Sequence, residues 1–187
     1  MIYPKKINSK KIDNFLKIFK LSVILISILL LIINKLTTPS IYWSHLCIFG
    51  FIYIYLTVRY SITRRSNIAN HIMIQTILLS ILMYFIDYRI GYKGWSLNIS
   101  LPILIIISNI AMFIITIINY KHYEKYATSQ LIIVLLSLLI IGSVYKGYIT
   151  ANSLINISII ISIFNFVVSL ILCHRDFKEE IIRKFNI

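Results

Sequence analysis

The stretch LPILIIISNIAMFIITII, Leu101–Ile118, runs for eighteen residues without a charged side chain. Apolar runs of about 18 residues or more are typical of helices that cross a membrane. Five further runs of similar character occur in the chain, and none shows the alternation of a barrel strand. The sequence therefore predicts an all-α, multi-pass membrane protein with six transmembrane helices. The predicted spans cover residues 18–36, 41–58, 68–86, 97–118, 129–149 and 154–173.

The composition favours the same class. The 187 residues are 59% hydrophobic and 13% charged, whereas soluble domains contain about 25% charged residues. The net charge of +13 would suggest nucleic acid in a soluble domain. Here the charges lie beside the spans, so the lipid bilayer and anionic inner-leaflet lipids are the expected partners, and nucleic acid is not. The excess of Ile, Lys, Asn and Tyr is typical of an AT-rich bacterial genome, which predicts a bacterial cell membrane.

The distribution of positive charge predicts the orientation. Fifteen Lys and Arg residues lie in the two tails and the segments after the second and fourth predicted spans, and four lie in the remaining segments. Positive charge accumulates on the cytoplasmic side, so both termini are expected in the cytoplasm. Residues 1–17 form a basic N-terminal segment, 18–173 the transmembrane domain and 174–187 a C-terminal tail. Both tails have the pattern of short amphipathic helices lying on the membrane surface.

The segment IDYRIGYKGWSLN, Ile86–Asn98, is the candidate outer polar site. It holds Asp87, Arg89, Gly94 and Trp95 between two predicted spans. Asp87 is expected either to pair with a nearby cation or to cap the turn, and Ser96 or Asn98 can cap the next helix. The segment is therefore either an ordered turn or an outward-facing binding site. Pro102 falls in the first turns of the next span, where a missing N–H is expected to cost little.

Polar residues inside the spans are few and uncharged. Gln75, Asn109 and Asn165 are expected to form hydrogen bonds between helices, or else to line a polar conduit. The absence of mid-depth charge argues against a proton-coupled pump. No catalytic motif, metal-ligand spacing or cofactor-binding motif is present, and Cys47 and Cys173 fall at different depths. We expect no catalytic residue, metal or cofactor, although an enzyme acting at the outer face through Asp87 and His45 remains an alternative.

Several segments together resemble a known family. They are PSIYWSH at residues 39–45, Asn67 with Gln75, the segment Ile86–Asn98 leading into LPI, and the closing HRDFKEEIIRKFNI. They resemble a bacterial family of six-helix membrane proteins known only as a domain of unknown function. Longer members carry an N-terminal zinc ribbon, which does not precede the first span here. The resemblance implies six helices and no established activity.

Two functions remain open from the sequence. The first is a non-enzymatic membrane module that packs with a second copy or with another membrane protein. The second is a small permease or channel-like unit with an outer polar site around Asp87 and Trp95. The first predicts a packed bundle, and the second predicts water at Asn109 or Asn165.

Overall fold

The computed structural model of the chain describes residues 9–63, 67–118, 126–147, 149–150 and 152–185, with side chains not described at residues 9, 169–170 and 172–185. This part of the chain is all α-helical. The helices are α1 (Ser9–Thr37), α2 (Trp43–Thr63), α3 (Ile68–Arg89), α4 (Leu101–Ile118), α5 (Ala127–Tyr145) and α6 (Ser153–Phe185), and a π-helical turn, Ser96–Ser100, leads directly into α4.

Five helical stretches in the described residues are long and apolar enough to cross a membrane. They are Lys10–Thr37, Trp43–Thr63, Ile68–Arg89, Ser96–Ile118 and Ala127–Tyr145. In the sixth helix, the apolar part searched is shorter and covers Ser153–Val168. The all-α fold is therefore confirmed, and membrane crossing by α6 stays a prediction.

The helices differ from the predicted segments at both ends of the chain. The basic residues from Lys10 to Lys20 belong to α1 itself, and α6 continues unbroken to Phe185. The tails thus extend the long helices, where the sequence pattern predicted separate short ones. The predicted polar loop lies mostly in residues 119–125, outside the described part of the chain, as do the side chains of the predicted tail 174–187.

The chain divides into two compact units, Met1–Arg65 and Ser66–Ile187. In the first, α1 packs against α2 as a helical hairpin. Its connection is a β-turn in which the N–H of Ile41 donates to the carbonyl of Thr38 (3.2 Å), with Pro39 at the second position, where its fixed φ suits the turn.

In the second unit, α4 contacts α3, α5 and α6, and α5 also contacts α3 and α6. One buried cluster, centred on Ile105, Ile140 and Ile155, lies near the end that carries the turns after α3 and α5. A second cluster, of Ala69, Met112 and Ile133, lies toward the other end. Small and polar residues separate them, which lets the helices approach closely, as is common where helices meet in a membrane.

Candidate functional site

The segment Ile86–Asn98 begins as a helix C-cap. The N–H of Tyr92 donates to the carbonyl of Asp87 (2.9 Å), and the N–H of Gly91 donates to that of Tyr88 (3.4 Å). This pair of bonds is the Schellman motif, whose residue after the cap adopts a left-handed conformation. Gly91 has φ +105°, a value that a residue without a Cβ adopts at little cost. The glycine therefore ends α3 and reverses the chain.

The carboxylate of Asp87 holds the start of the next helix. One oxygen accepts a hydrogen bond from the N–H of Lys93 (3.0 Å), and the other accepts from the N–H and the hydroxyl of Ser96 (3.1 and 2.8 Å). Asp87 is 0% exposed. An acceptor at a helix N-terminus satisfies N–H groups that have no partner within the helix. Asp87 belongs to α3 but caps the helix that follows, and the partners that surround it are groups of the turn itself.

The other three candidates lie around this carboxylate in different roles. Arg89 is the last residue of α3 and is exposed. Gly94 has φ +76°, and its carbonyl accepts from both the N–H and the side-chain amide of Asn98 (3.0 and 2.9 Å). Trp95 is partly buried and directly precedes the π-helical turn. The geometry is that of an ordered, internally bonded turn.

Asn98 joins this turn to the turn between α5 and α6. Its side-chain oxygen accepts from the N–H and the hydroxyl of Thr150, each at 3.0 Å. Its main-chain carbonyl accepts from the side-chain amide of Asn152 (2.8 Å). The other end of the Asn152 amide caps α6 by accepting from the N–H of Ile155 (2.9 Å). Sequence reasoning proposed Asn98 only as a cap for its own helix.

Pro102 explains why Asn98 needs this partner. In an α-helix the carbonyl of Asn98 would accept from the N–H four residues later, and proline has none. The helix passes the proline with a π-helical turn, in which the N–H of Leu101 donates to the carbonyl of Ser96. Pro102 is buried, so water has little access to the carbonyl it leaves open, and Asn152 supplies the donor. The expectation that the missing N–H costs little holds only because of that bond.

The repeated triplet Tyr-Lys-Gly has a different structural register from its sequence register. The triplets pair Gly94 with Gly147, and the two glycines have similar φ values, +76° and +74°. Gly147, however, follows the cap residue of α5, and its N–H donates to the carbonyl of Val144 (3.0 Å). The residue in the same position after α3 is Gly91. The two turns thus share a helix-ending geometry, and the matching triplets lie three residues out of step with it.

The mid-depth polar residues meet in the centre of the second unit. The side-chain amide of Asn109 donates to the hydroxyl of Ser162 (2.8 Å) and to the carbonyl of Ile105 (2.9 Å). Asn165 donates to the carbonyl and the side-chain oxygen of Asn109 (2.9 and 3.2 Å). Asn109 is 0% and Asn165 2% exposed. These bonds connect α4 to α6.

Gln75 lies elsewhere. Together with His71 it lines a groove of about 280 Å³ between α3 and α4. Below the side chains of that groove, the hydroxyls of Thr76 and Ser108 are hydrogen-bonded across the same two helices. The structure therefore brings Asn109 and Asn165 together but places Gln75 on a different helix pair.

Sequence reasoning also missed Asn34, which closes the first unit. Its side-chain amide donates to the carbonyls of Thr38 and Ile41 (2.7 Å each), and its side-chain oxygen accepts from the N–H and the hydroxyl of Ser44 (3.2 and 2.7 Å). An Asn near the end of an apolar run, just before a Thr-Pro turn, is the signal that could have identified it.

Among the described residues, no three His, Cys, Asp or Glu side chains are grouped so that they could hold a metal ion. The model of a family of unknown function, DUF6320, matches residues 3–187, in keeping with the expected membership of a family without an assigned activity. Comparison with curated proteins and with solved structures gives no match. Since the match covers nearly the whole sequence, the chain belongs to the family of unknown function DUF6320.

Proposed function

We propose that the chain is an integral protein of the cell membrane that crosses it six times, with both termini in the cytoplasm. The distribution of exposed side chains supports this. Large apolar side chains are exposed along the helices, including Leu25 and Leu29 in α1, Ile107 in α4 and Leu139 in α5. A contiguous apolar exterior of this extent is unfavourable in water and favourable in lipid.

Within that membrane the chain acts as a non-catalytic module that packs with itself or with another membrane protein. The observation that carries this proposal is the bonded cluster of Asn109, Asn165 and Ser162. A conduit for a polar substrate needs mid-depth polar groups that face water, whereas these side chains bond to one another and are almost completely buried. The buried acid Asp87 is likewise engaged by the turn.

Water access in intact cells tests this proposal. Cys47 and Cys173 are first replaced by Ser, and single cysteines are then placed at Ser162, at Asn109 and at Lys93. Cells are labelled with a membrane-impermeant thiol reagent. Ser162→Cys is the sharpest variant because the change is nearly isosteric. We expect Lys93→Cys to label, since Lys93 is exposed in the turn after α3, and the two central positions to remain unlabelled.

The outcomes separate the candidate functions. Labelling of both central positions would establish an aqueous path and replace the packed module with the permease or channel-like unit around Asp87 and Trp95. A cysteine at the exposed Asp13 checks the orientation, because it should label only after the membrane is permeabilised. Asp87 is unsuitable as the accessible control, because the structure buries it completely.

A further inference from the structure

The first unit contains a polar pocket at the connected end of its hairpin. The pocket has a volume of about 280 Å³, and five of the seven side chains that line it are polar: Asn34, Lys35, Tyr42, Ser44 and His45. A water molecule occupies about 30 Å³ in the liquid, so the pocket has room for a larger polar group.

One polar atom in this pocket is left without a partner. Nδ1 of His45 is buried and has no hydrogen bond within the described protein. The imidazole ring is held in place by Tyr42, whose ring meets it edge to face at 5.5 Å and 80°. A buried polar atom without a hydrogen bond is unfavourable, so a ligand that bonds to this nitrogen would be favoured.

The surroundings of His45 determine the charge of that ligand. Lys35, in the last turn of α1, contributes the ammonium group, and no acidic side chain lines the pocket. The amide of Asn34 is fully used in holding the turn, which fixes Ser44 and the start of α2. A lysine beside an imidazole nitrogen, on a preformed turn, suits a group with negatively charged oxygen atoms.

The geometry points to a binding site for the phosphate of an anionic phospholipid, contacted by Lys35 and His45. The inference rests on the proposed membrane location of the chain. The pocket lies where two apolar helices end in a turn, which in that arrangement is the depth of the headgroups. Free inorganic phosphate offers the same chemistry, and the apolar flanks of the pocket favour the lipid.

Trp43, between two of the lining residues, can report on this site. In a Trp95→Phe background the chain is placed in vesicles of dibrominated phosphatidylcholine or dibrominated phosphatidylglycerol, whose bromines quench nearby tryptophan. We expect both lipids to quench Trp43, and the anionic lipid to be preferred by about five-fold, the effect of one favourable lysine contact. Lys35→Gln and His45→Ala should each remove most of that preference.

A matched control separates this site from general charge effects. Lys93→Gln removes one exposed lysine from another turn and should leave the preference at Trp43 unchanged. Equal quenching by the two lipids, or a preference that survives both pocket substitutions, would overturn the site. Absence of quenching by either lipid would instead overturn the membrane location. Loss of the preference in excess inorganic phosphate would assign the pocket to the free anion and overturn its assignment to lipid.

A second measurement covers the case in which Trp95→Phe disturbs folding. Native mass spectrometry of the chain with both tryptophans present counts the phosphatidylglycerol molecules that remain bound after release from detergent. The proposal expects one fewer tightly retained molecule in His45→Ala than in the unaltered chain. The same number in both would refute it.

Discussion

Asn152→Ala removes two hydrogen bonds with different consequences. One bond caps α6 at the N–H of Ile155, and the other satisfies the carbonyl of Asn98 that Pro102 leaves open. Loss of a helix cap costs about 1 kcal/mol, and leaving a poorly hydrated acceptor unsatisfied costs about 1–3 kcal/mol. We therefore expect the substitution to lower the free energy of unfolding by about 2–4 kcal/mol.

Pro102→Ala tests whether the open carbonyl is the reason. Alanine restores an N–H four residues after Asn98, so the helix can satisfy that carbonyl itself. In the Pro102→Ala background, Asn152→Ala should then cost only the cap, about 1 kcal/mol. The double-mutant cycle should show a coupling of about 1–3 kcal/mol between positions 102 and 152, which lie on different helices.

The measurement is a denaturing-detergent titration of the purified protein, followed by the fluorescence of Trp95 in a Trp43→Phe background. Trp95 directly precedes the π-helical turn and reports on this region. Asn156→Ala is the matched control, since Asn156 is in the same helix but exposed, and its change should stay within about 0.5 kcal/mol. If Asn152→Ala costs the same in both backgrounds, the link between Pro102 and Asn152 is wrong.

The same titration tests two further features of the bundle. Gly94→Ala should destabilise the fold by about 1–3 kcal/mol, because φ is +76° and the new Cβ would lie 3.2 Å from the amide nitrogen of Asn98. Gly142→Ala should stabilise it by about 0.5–1 kcal/mol, because that helical position has open space, and a loss at Gly142 as large as at Gly94 would refute the conformational argument. Asp87→Asn should lower the unfolding midpoint, because one carboxylate oxygen is replaced by a donor that faces N–H groups, whereas Asp13→Asn at an exposed position should not. An unchanged midpoint for Asp87→Asn would contradict the capping role.

The helices could be predicted from the sequence because their signal is local. Apolar runs identify helix positions to within a few residues, and the chain breaks at residues such as Pro39 and Gly91 are written in single residue types. The helix ends were less predictable. The fifth predicted span extended to residue 149, but α5 ends at Tyr145, because the interfacial residues after it are as apolar on average as the helix itself.

The partners of the polar residues could not be predicted, because each bond joins residues far apart in the sequence. Asn109 was correctly chosen as a mid-depth polar residue, yet nothing local indicates that it bonds to Ser162. Asn98 and Asn152 each look like ordinary helix caps, and only the packing of α4 against α6 shows that the second supplies a donor to the first. Asn34 was overlooked for a related reason, since its four partners lie in a turn whose path the sequence does not specify.

An acidic residue at a membrane helix is often taken as a sign of function, because an unsolvated charge is costly. Asp87 shows why that inference depends on what surrounds the carboxylate. Its helix ends in a glycine turn that folds back over it, and the N-terminus of the next helix points its free N–H groups at the two oxygens. The positive end of that helix favours the negative charge. The charge is thus stabilised by the chain reversal it holds together, and a structural role accounts for its burial without a substrate.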